Sequence, residues 1–334
     1  MNGAASASVP RPVIPGTAMR YDELGFPIPP QFDQADTAAT RRSESLRPPR
    51  GFDDASDRAG PMKRFVVFTL LAALVVPAVI AVPALPLVRE AVVQWSLDRA
   101  VAREGRNRIP AAIAEVGRAI EWVHDDPQRA SQLYVWRAML HMQAADPRGA
   151  LADADQALVV WPTALPPRRV RALALVVLAD PDAALAEAKA AAAAAGADDP
   201  ESLNHLAYVR ALVGRELPEA LEAIDRALAA DGEVPEFLDT RGFILHLLDR
   251  HQEAIDLLTL AITPTQQRRD RLAALAGRVD ADELAARLRI LDHELAVMYQ
   301  HRGLACQAAG FERQAAQDLG IAAAKGYAPE RGVF

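Results

Sequence analysis

Three regimes of hydrophobic patterning divide the chain. Residues 1–63 show neither the two-residue alternation of strands nor the three-to-four spacing of helices, and they are rich in Pro, Ser, Ala, Asp and Arg. Such a segment buries too little apolar surface to offset its ordering entropy, which predicts a disordered N-terminal tail. One patch departs from it. "MRYDELGFPIPPQF" (19–32) gathers Tyr21, Leu24, Phe26, Ile28 and Phe32 among prolines, the pattern either of a short docking motif or of a chance apolar cluster. The second regime is an apolar run. The third, from residue 86 onward, is a succession of amphipathic helices.

From Phe65 to Val88 the chain carries no charge, and about 20 apolar residues suffice to cross the hydrocarbon core as a helix. A cleaved export signal would start near the N-terminus with a shorter apolar region, although Ala81 and Ala84 are small enough for cleavage. A buried core helix would need a covering segment on its N-terminal side. The expectation is therefore one transmembrane helix over 64–85. Pro77 reads as a kink inside it, and Pro83 and Pro86 as its exit. Arg50, Arg58, Lys63 and Arg64 precede the span and Arg89, Arg99 and Arg103 follow it. The positive-inside rule thus places the N-terminus in the cytoplasm, by one charge, with the remaining chain on the opposite side of the cell membrane.

Beyond the span the helices recur at a fixed period. Asp-Pro stands at 126–127, 146–147, 180–181 and 199–200. Aspartate caps a helix start, and proline fits the first helical position because its missing N–H is not needed there. The step from 146 to 180 is 34 residues, with about one helix and a turn on either side. Small residues keep the same beat. Ala150, Ala184, Ala220 and Ala254 are each preceded, 12 or 13 residues earlier, by Ala138, Ala172, Ala207 and Gly242. Each is followed, seven later, by Ala157, Ala191, Ala227 and Ala261, and Gly303, Ala315 and Ala322 repeat the set. Close approach of two antiparallel helices demands small residues at the crossing.

The larger residues in "YVWRAMLHMQAADPRGALADADQALVVWP" (134–162), "LNHLAYVRALVGRELPEALEAIDRALAAD" (203–231), "LDTRGFILHLLDRHQEAIDLLTLAI" (238–262) and "YQHRGLACQAAGFERQAAQDLGIAAAKGY" (299–327) resemble the tetratricopeptide repeat (TPR) family. The likeness lies in the small residue of the first helix, the turn, the Glu-Ala-hydrophobic opening of the second helix and its closing Ala-Leu. Arg137, Arg241 and Arg302 precede the small residue, and 168–196 is a degenerate unit. "IPAAIAEVGRAIEWV" (109–123) reads as the second helix of one further unit, with its first helix over 86–105. The resemblance implies an all-α, TPR-like α-solenoid of antiparallel helix hairpins over 86–330, of about five units. Residues 262–296 are an insertion that lengthens the helices around one connection, and could cap a groove or form a dimer surface.

Composition removes several function classes. Beyond residue 64 lie 28 of the 37 basic and 36 of the 44 acidic residues, so no basic stripe suits nucleic acid. A lone cysteine, Cys306, allows no intramolecular disulfide and no thiolate metal site. The seven histidines lack zinc-protease spacing, "HELAVMYQH" (293–301) included, and no phosphate loop or Ser/His/Asp set presents itself. The expectation is a non-enzyme without cofactor or metal.

What remains is a surface. The family's pattern implies a concave groove along the first helices. Its N-terminal half would be Val135, Trp136, Met139, Met142, Arg169, Leu173 and Val176. Its C-terminal half would be Asn204, His205, Tyr208, Asp239, Phe243 and His246. The family's two-Lys-and-Asn clamp for a peptide carboxylate is absent, and Glu201, Glu236 and Asp239 make the rim acidic, which suits a hydrophobic or basic segment. The expected function is a single-pass, membrane-tethered protein–protein interaction scaffold or assembly factor, its partner a protein or peptide. Alternatives are a non-catalytic targeting subunit of a membrane enzyme complex, or a self-assembling structural protein.

Overall fold

The computed structural model describes residues 86–123, 125–196 and 198–329. The expected tail (1–63) and span (64–85) lie outside the described residues, among which no helix is long and apolar enough to cross a membrane.

The described residues form twelve helices in six antiparallel hairpins. They are α1 (86–105) with α2 (Ile109–Glu121), α3 (Pro127–Gln143) with α4 (Pro147–Val160), and α5 (Leu165–Val177) with α6 (Pro181–Ala195). There follow α7 (Pro200–Val213) with α8 (Leu217–Asp231), α9 (Pro235–Leu247) with α10 (His251–Ala273), and α11 (Ala281–Ala308) with α12 (Glu312–Ala324). Each Asp-Pro pair opens a helix. Asp126, Asp146, Asp180 and Asp199 accept the backbone N–H three residues on, at 2.9–3.1 Å. Each of the six hairpin turns contains a left-handed residue, namely Asn107, Ala145, Ala179, Gly214, Asp249 and Gly310, and the fourth adds a second, Glu216. Most elongated arrays of this kind are built by stacking one such unit on the next.

The small-residue beat is the crossing line of each hairpin. Ala138, Ala150, Ala157, Ala172, Ala184, Ala207, Ala220, Ala227, Ala254 and Ala261 are all fully buried. At Gly242 an added Cβ would lie 2.7 Å from Leu258 Cγ, and at Gly303 2.8 Å from Leu319, so neither position has room for even a methyl group. The first hairpin keeps the same 12- and 7-residue spacing in Ala100, Ala112 and Ala119, again fully buried. The upstream unit therefore has both of its helices, and the array counts six hairpins where the sequence suggested about five.

A second periodic feature lies beside the crossing. Arginine on the first helix meets a carboxylate 16 residues later on the second, in Arg99–Glu115, Arg137–Asp153, Arg171–Glu187 and Arg302–Asp318, at 2.5–3.0 Å. The fourth hairpin has Leu206 instead, opposite an exposed Glu222. In the fifth, Arg241 reaches back to Asp225 of the preceding hairpin. The four within-hairpin pairs each join the first helix of a hairpin to its second.

Each odd-numbered helix from α3 to α9 also packs on the next odd-numbered one, whereas the even-numbered helices make no comparable contact with each other. The odd-numbered helices therefore line the closely spaced, concave side. The insertion is an extension of two helices and not a separate element. α10 continues beyond Ile262, through Pro264, to Ala273. Around the proline, the hydroxyls of Thr259, Thr263 and Thr265 donate to carbonyls four residues back, at 2.8–3.0 Å. Asp280 then caps α11. The start of α11 lies on the α1–α2 turn: Arg106 donates twice to Asp282, at 3.1 and 2.6 Å, and Arg289 donates to the Gly105 carbonyl at 2.6 Å. A Cβ on Gly105 would sit 2.6 Å from the Asp282 carbonyl oxygen, so glycine permits this approach. The first and last hairpins thus meet across 176 residues of sequence.

Candidate binding face

The concave side divides into two zones. In the N-terminal zone, Trp136 is half-buried, its indole N–H donating to Glu104 at 3.3 Å, while Met139 is 45% exposed. Val135, Met142 and Leu173 lie in one packing cluster with Val170 and Ala174, and Val176 packs beside Leu206 and Val209. These side chains fill the joints between successive inner helices. The groove surface they leave is carried by Trp136 and Met139.

The second zone brings together Arg169, Asn204, His205, Tyr208, Asp239 and Phe243. Phe243 stacks on His301 at a centroid distance of 4.0 Å, and Tyr208 meets both rings edge-on at 6.4 and 6.3 Å. His301 Nδ1 is 3.0 Å from Asp239 Oδ1, which fixes the histidine ring beneath the aromatic pair. Burial, together with the Asp239 carboxylate and Tyr327, pushes the Tyr208 hydroxyl well above its ordinary pKa and keeps it protonated. His246 lies one turn beyond Phe243 and faces His251, with ring nitrogens 3.2 Å apart. Burial and the second imidazole hold His246 below the usual histidine range.

Charge is concentrated at the N-terminal ends of the same helices. Arg169 donates to Glu201 at 3.3 Å and to Ser202 at 3.1 Å, and lies 3.5 Å from Asp199. His205 is buried beside it. Burial and the neighbouring guanidinium lower its pKa to about 3, so the ring is neutral. On the facing wall Arg268 bridges Glu294 at 2.6 Å and Glu236 at 3.6 Å. Burial and the adjacent Glu236 raise the Glu294 carboxyl to about 7, against the opposing pull of Arg268. Arg268 and Glu294 escaped the sequence reading because the end of α10 and the start of α11 depart from the repeat register, whereas His301 lies in register, two residues before Gly303, in the last unit. The seven-residue step from Glu294 to His301, two turns along one helix face, was the available signal.

Among the described residues no group of histidine, cysteine and carboxylate side chains could hold a metal ion. Cys306 is buried, and burial raises its thiol. A separate surface hollow of about 660 Å³, between Tyr299 and Arg302 of α11 and Phe311–Ile321 around α12, shares no residue with the concave zones.

The described residues define an all-α solenoid of stacked helical hairpins. Solved structures similar to it include a tetratricopeptide repeat protein from Parabacteroides merdae ATCC 43184, 14% identical, with 71% of this chain and 94% of that one covered and a TM-score of 0.43. A thermophilic TPR protein of Thermus thermophilus is 21% identical, with 55% and 97% covered and a TM-score of 0.44. YrrB, a TPR protein with an unusual peptide-binding site, is 19% identical, with 51% and 84% covered and a TM-score of 0.35. No protein-family model matches the chain, and no curated protein matches it in sequence.

Proposed function

We propose that the chain is a membrane-tethered scaffold that holds a protein or peptide segment against its concave face. The observation that carries this reading is the set of unpartnered polar atoms beside the aromatic cluster. Asn204 Oδ1, His205 Nε2 and Tyr208 Oη are shielded from water without a hydrogen-bond partner among the described residues. A buried polar atom left unpaired costs about 1–3 kcal/mol, and an incoming segment with matching groups would recover that cost. Phe243, Tyr208 and His301 beside them offer rigid anchors of the kind that dominate binding energy.

The tether is the uncharged run before α1, and it places the repeats outside the cytoplasm, directly against the bilayer. Photo-crosslinking in intact cells tests the scaffold reading. A photoreactive residue at Met139 or Glu201, on the concave side, should yield discrete adducts, and one at Val159 or Glu222, on the outer helices, should not. Adducts only from the outer positions would refute it, and an adduct of twice the chain's own mass would replace it by self-assembly. Protease protection in spheroplasts checks the side of the membrane.

A further inference from the structure

We propose that the segment held on the concave face presents an arginine, or less favourably a lysine, to the carboxylates of Glu201, Glu236 and Glu294, so that this surface selects cationic sequences. The inference rests on the scaffold reading and names the chemistry of its partner.

The pocket has two walls. α7 and α9 supply Asp199, Glu201 and Glu236, with Asp231 at the end of α8 also acting on Glu201. The extended α10–α11 hairpin supplies Arg268 and Glu294. Each of the two guanidinium groups is divided between two carboxylates, Arg169 between Asp199 and Glu201, and Arg268 between Glu236 and Glu294. Four carboxylates therefore share two cations, Asp231 adds a fifth acidic group beside Glu201, and negative charge is left over. Glu201 and Glu236 keep 53% and 40% of their side chains exposed, so that charge faces the groove.

Acidic side chains in a cluster need not bind anything, but here a second observation concerns a ligand directly. His205 is 9% exposed and its Nε2 has no partner. It stands one turn from Glu201, on the same face of α7 and beside Arg169. Asn204 Oδ1 and Tyr208 Oη, on the adjoining positions, are also unpartnered. An amide oxygen only accepts, and a neutral imidazole keeps one accepting nitrogen. Together with the carboxylates they form a surface of acceptors. A guanidinium offers five N–H donors and a delocalised charge, and its plane can lie against Tyr208 or Phe243. A phosphate or carboxylate would meet like charge. A neutral amide would leave the excess charge of the carboxylates unmet.

The test is selection from a phage-displayed library of random nonapeptides on the full-length protein in detergent, at about 0.15 M salt so that long-range attraction is screened. Enrichment of arginine by roughly fivefold or more at one position is expected, with lysine second. Glu236→Gln with Glu294→Gln should abolish that enrichment while the circular-dichroism melt stays in place. If the double variant melts early, Glu201→Gln, at an exposed side chain, carries the same expectation. Glu236→Arg with Glu294→Arg should shift selection toward acidic residues, which a merely structural role would not do. Binders that depend on Tyr208 and Phe243 but show no basic enrichment would overturn the cationic proposal and leave the scaffold reading standing. A library that yields no binders would overturn both.

Discussion

The arginine–carboxylate pair inside the second hairpin allows a quantitative test of what holds the repeats together. Arg137 donates to Asp153 at 2.7 and 2.5 Å, and the Asp153 side chain is 7% exposed. Replacing Arg137 with leucine leaves that carboxylate buried, with only the His141 ring, 3.7 Å away, as a remaining basic neighbour. Breaking a buried pair from one side costs about 3–5 kcal/mol. Arg137 is itself 24% exposed and so partly solvated, which puts the expected loss near the lower end, about 3 kcal/mol. Asp153→Leu alone should cost less, about 1–2 kcal/mol, because the long Arg137 side chain can turn toward water over the Tyr134 ring, 5.4 Å away. The double variant should lose no more than about 1 kcal/mol, since burying two apolar groups in place of an ion pair is close to neutral. The fourth hairpin already dispenses with the arginine, with Leu206 at the equivalent position, 8% exposed, and its Glu222 turned out to solvent. Urea unfolding of the four proteins gives the coupling energy, expected to be at least about 2 kcal/mol. Amide exchange in α3 and α4 locates the loss. An Arg137→Leu protein within about 0.5 kcal/mol of wild type, or a double variant as unstable as the sum of the singles, would refute the reasoning.

Two further outcomes concern the extended hairpin. Gly105→Ala places a Cβ where the Asp282 carbonyl oxygen lies 2.6 Å away, so amide exchange over residues 274–282 should rise several-fold while the midpoint of global unfolding barely moves; unchanged exchange would mean the two ends of the array are not held together in solution. Glu294 carries the pH dependence: its folded carboxyl is raised to about 7 from its usual 4.5 by burial and Glu236, so the folded state holds the proton more tightly. That contribution is fully present below about pH 4.5 and is lost as the pH rises through about 7. Stability of wild type relative to Glu294→Gln should therefore fall between about pH 5 and about pH 8, and parallel urea midpoints across that range would contradict it.

The parts of the fold that were legible in the sequence are those where one residue type has one physical job. Asp-Pro marks helix starts because capping and the missing N–H both favour it there, and all four pairs sit at starts. Buried alanine and glycine mark helix crossings, and the 12-and-7 spacing runs through every hairpin, with one extra residue in the fourth. The first hairpin was harder to see because no Asp-Pro opens it, although Ala100, Ala112 and Ala119 carry the same spacing. α10 shows the limit of reading proline as a stop. Pro264 sits with its helix continuing on both sides, and the length of α10 and α11 follows from the tertiary contacts they make at the far end of the array.

The candidate site shows the same division. Asn204, His205, Tyr208, Asp239 and Phe243 could be placed from register alone, because α7 and α9 keep the repeat geometry. Register does not separate residues that face the groove from those that face the next inner helix. Met142, for example, lies in a packing cluster one turn from the exposed Met139. The opposite wall has no register to read. Arg268 and Glu294 come from the stretch in which two helices overrun the repeat, and only the fold sets them across from Glu236. A solenoid of uniform hairpins presents one face of inner helices, whereas this one bends an overlong hairpin back until α11 meets the α1–α2 turn. The carboxylates of α7 and α9 are thereby faced by a second wall, where a bare concave surface would leave them to water. Any segment held between the two walls is contacted from both sides. Variants that free the hairpin tip should therefore weaken binding even though none of the altered residues touches the bound segment.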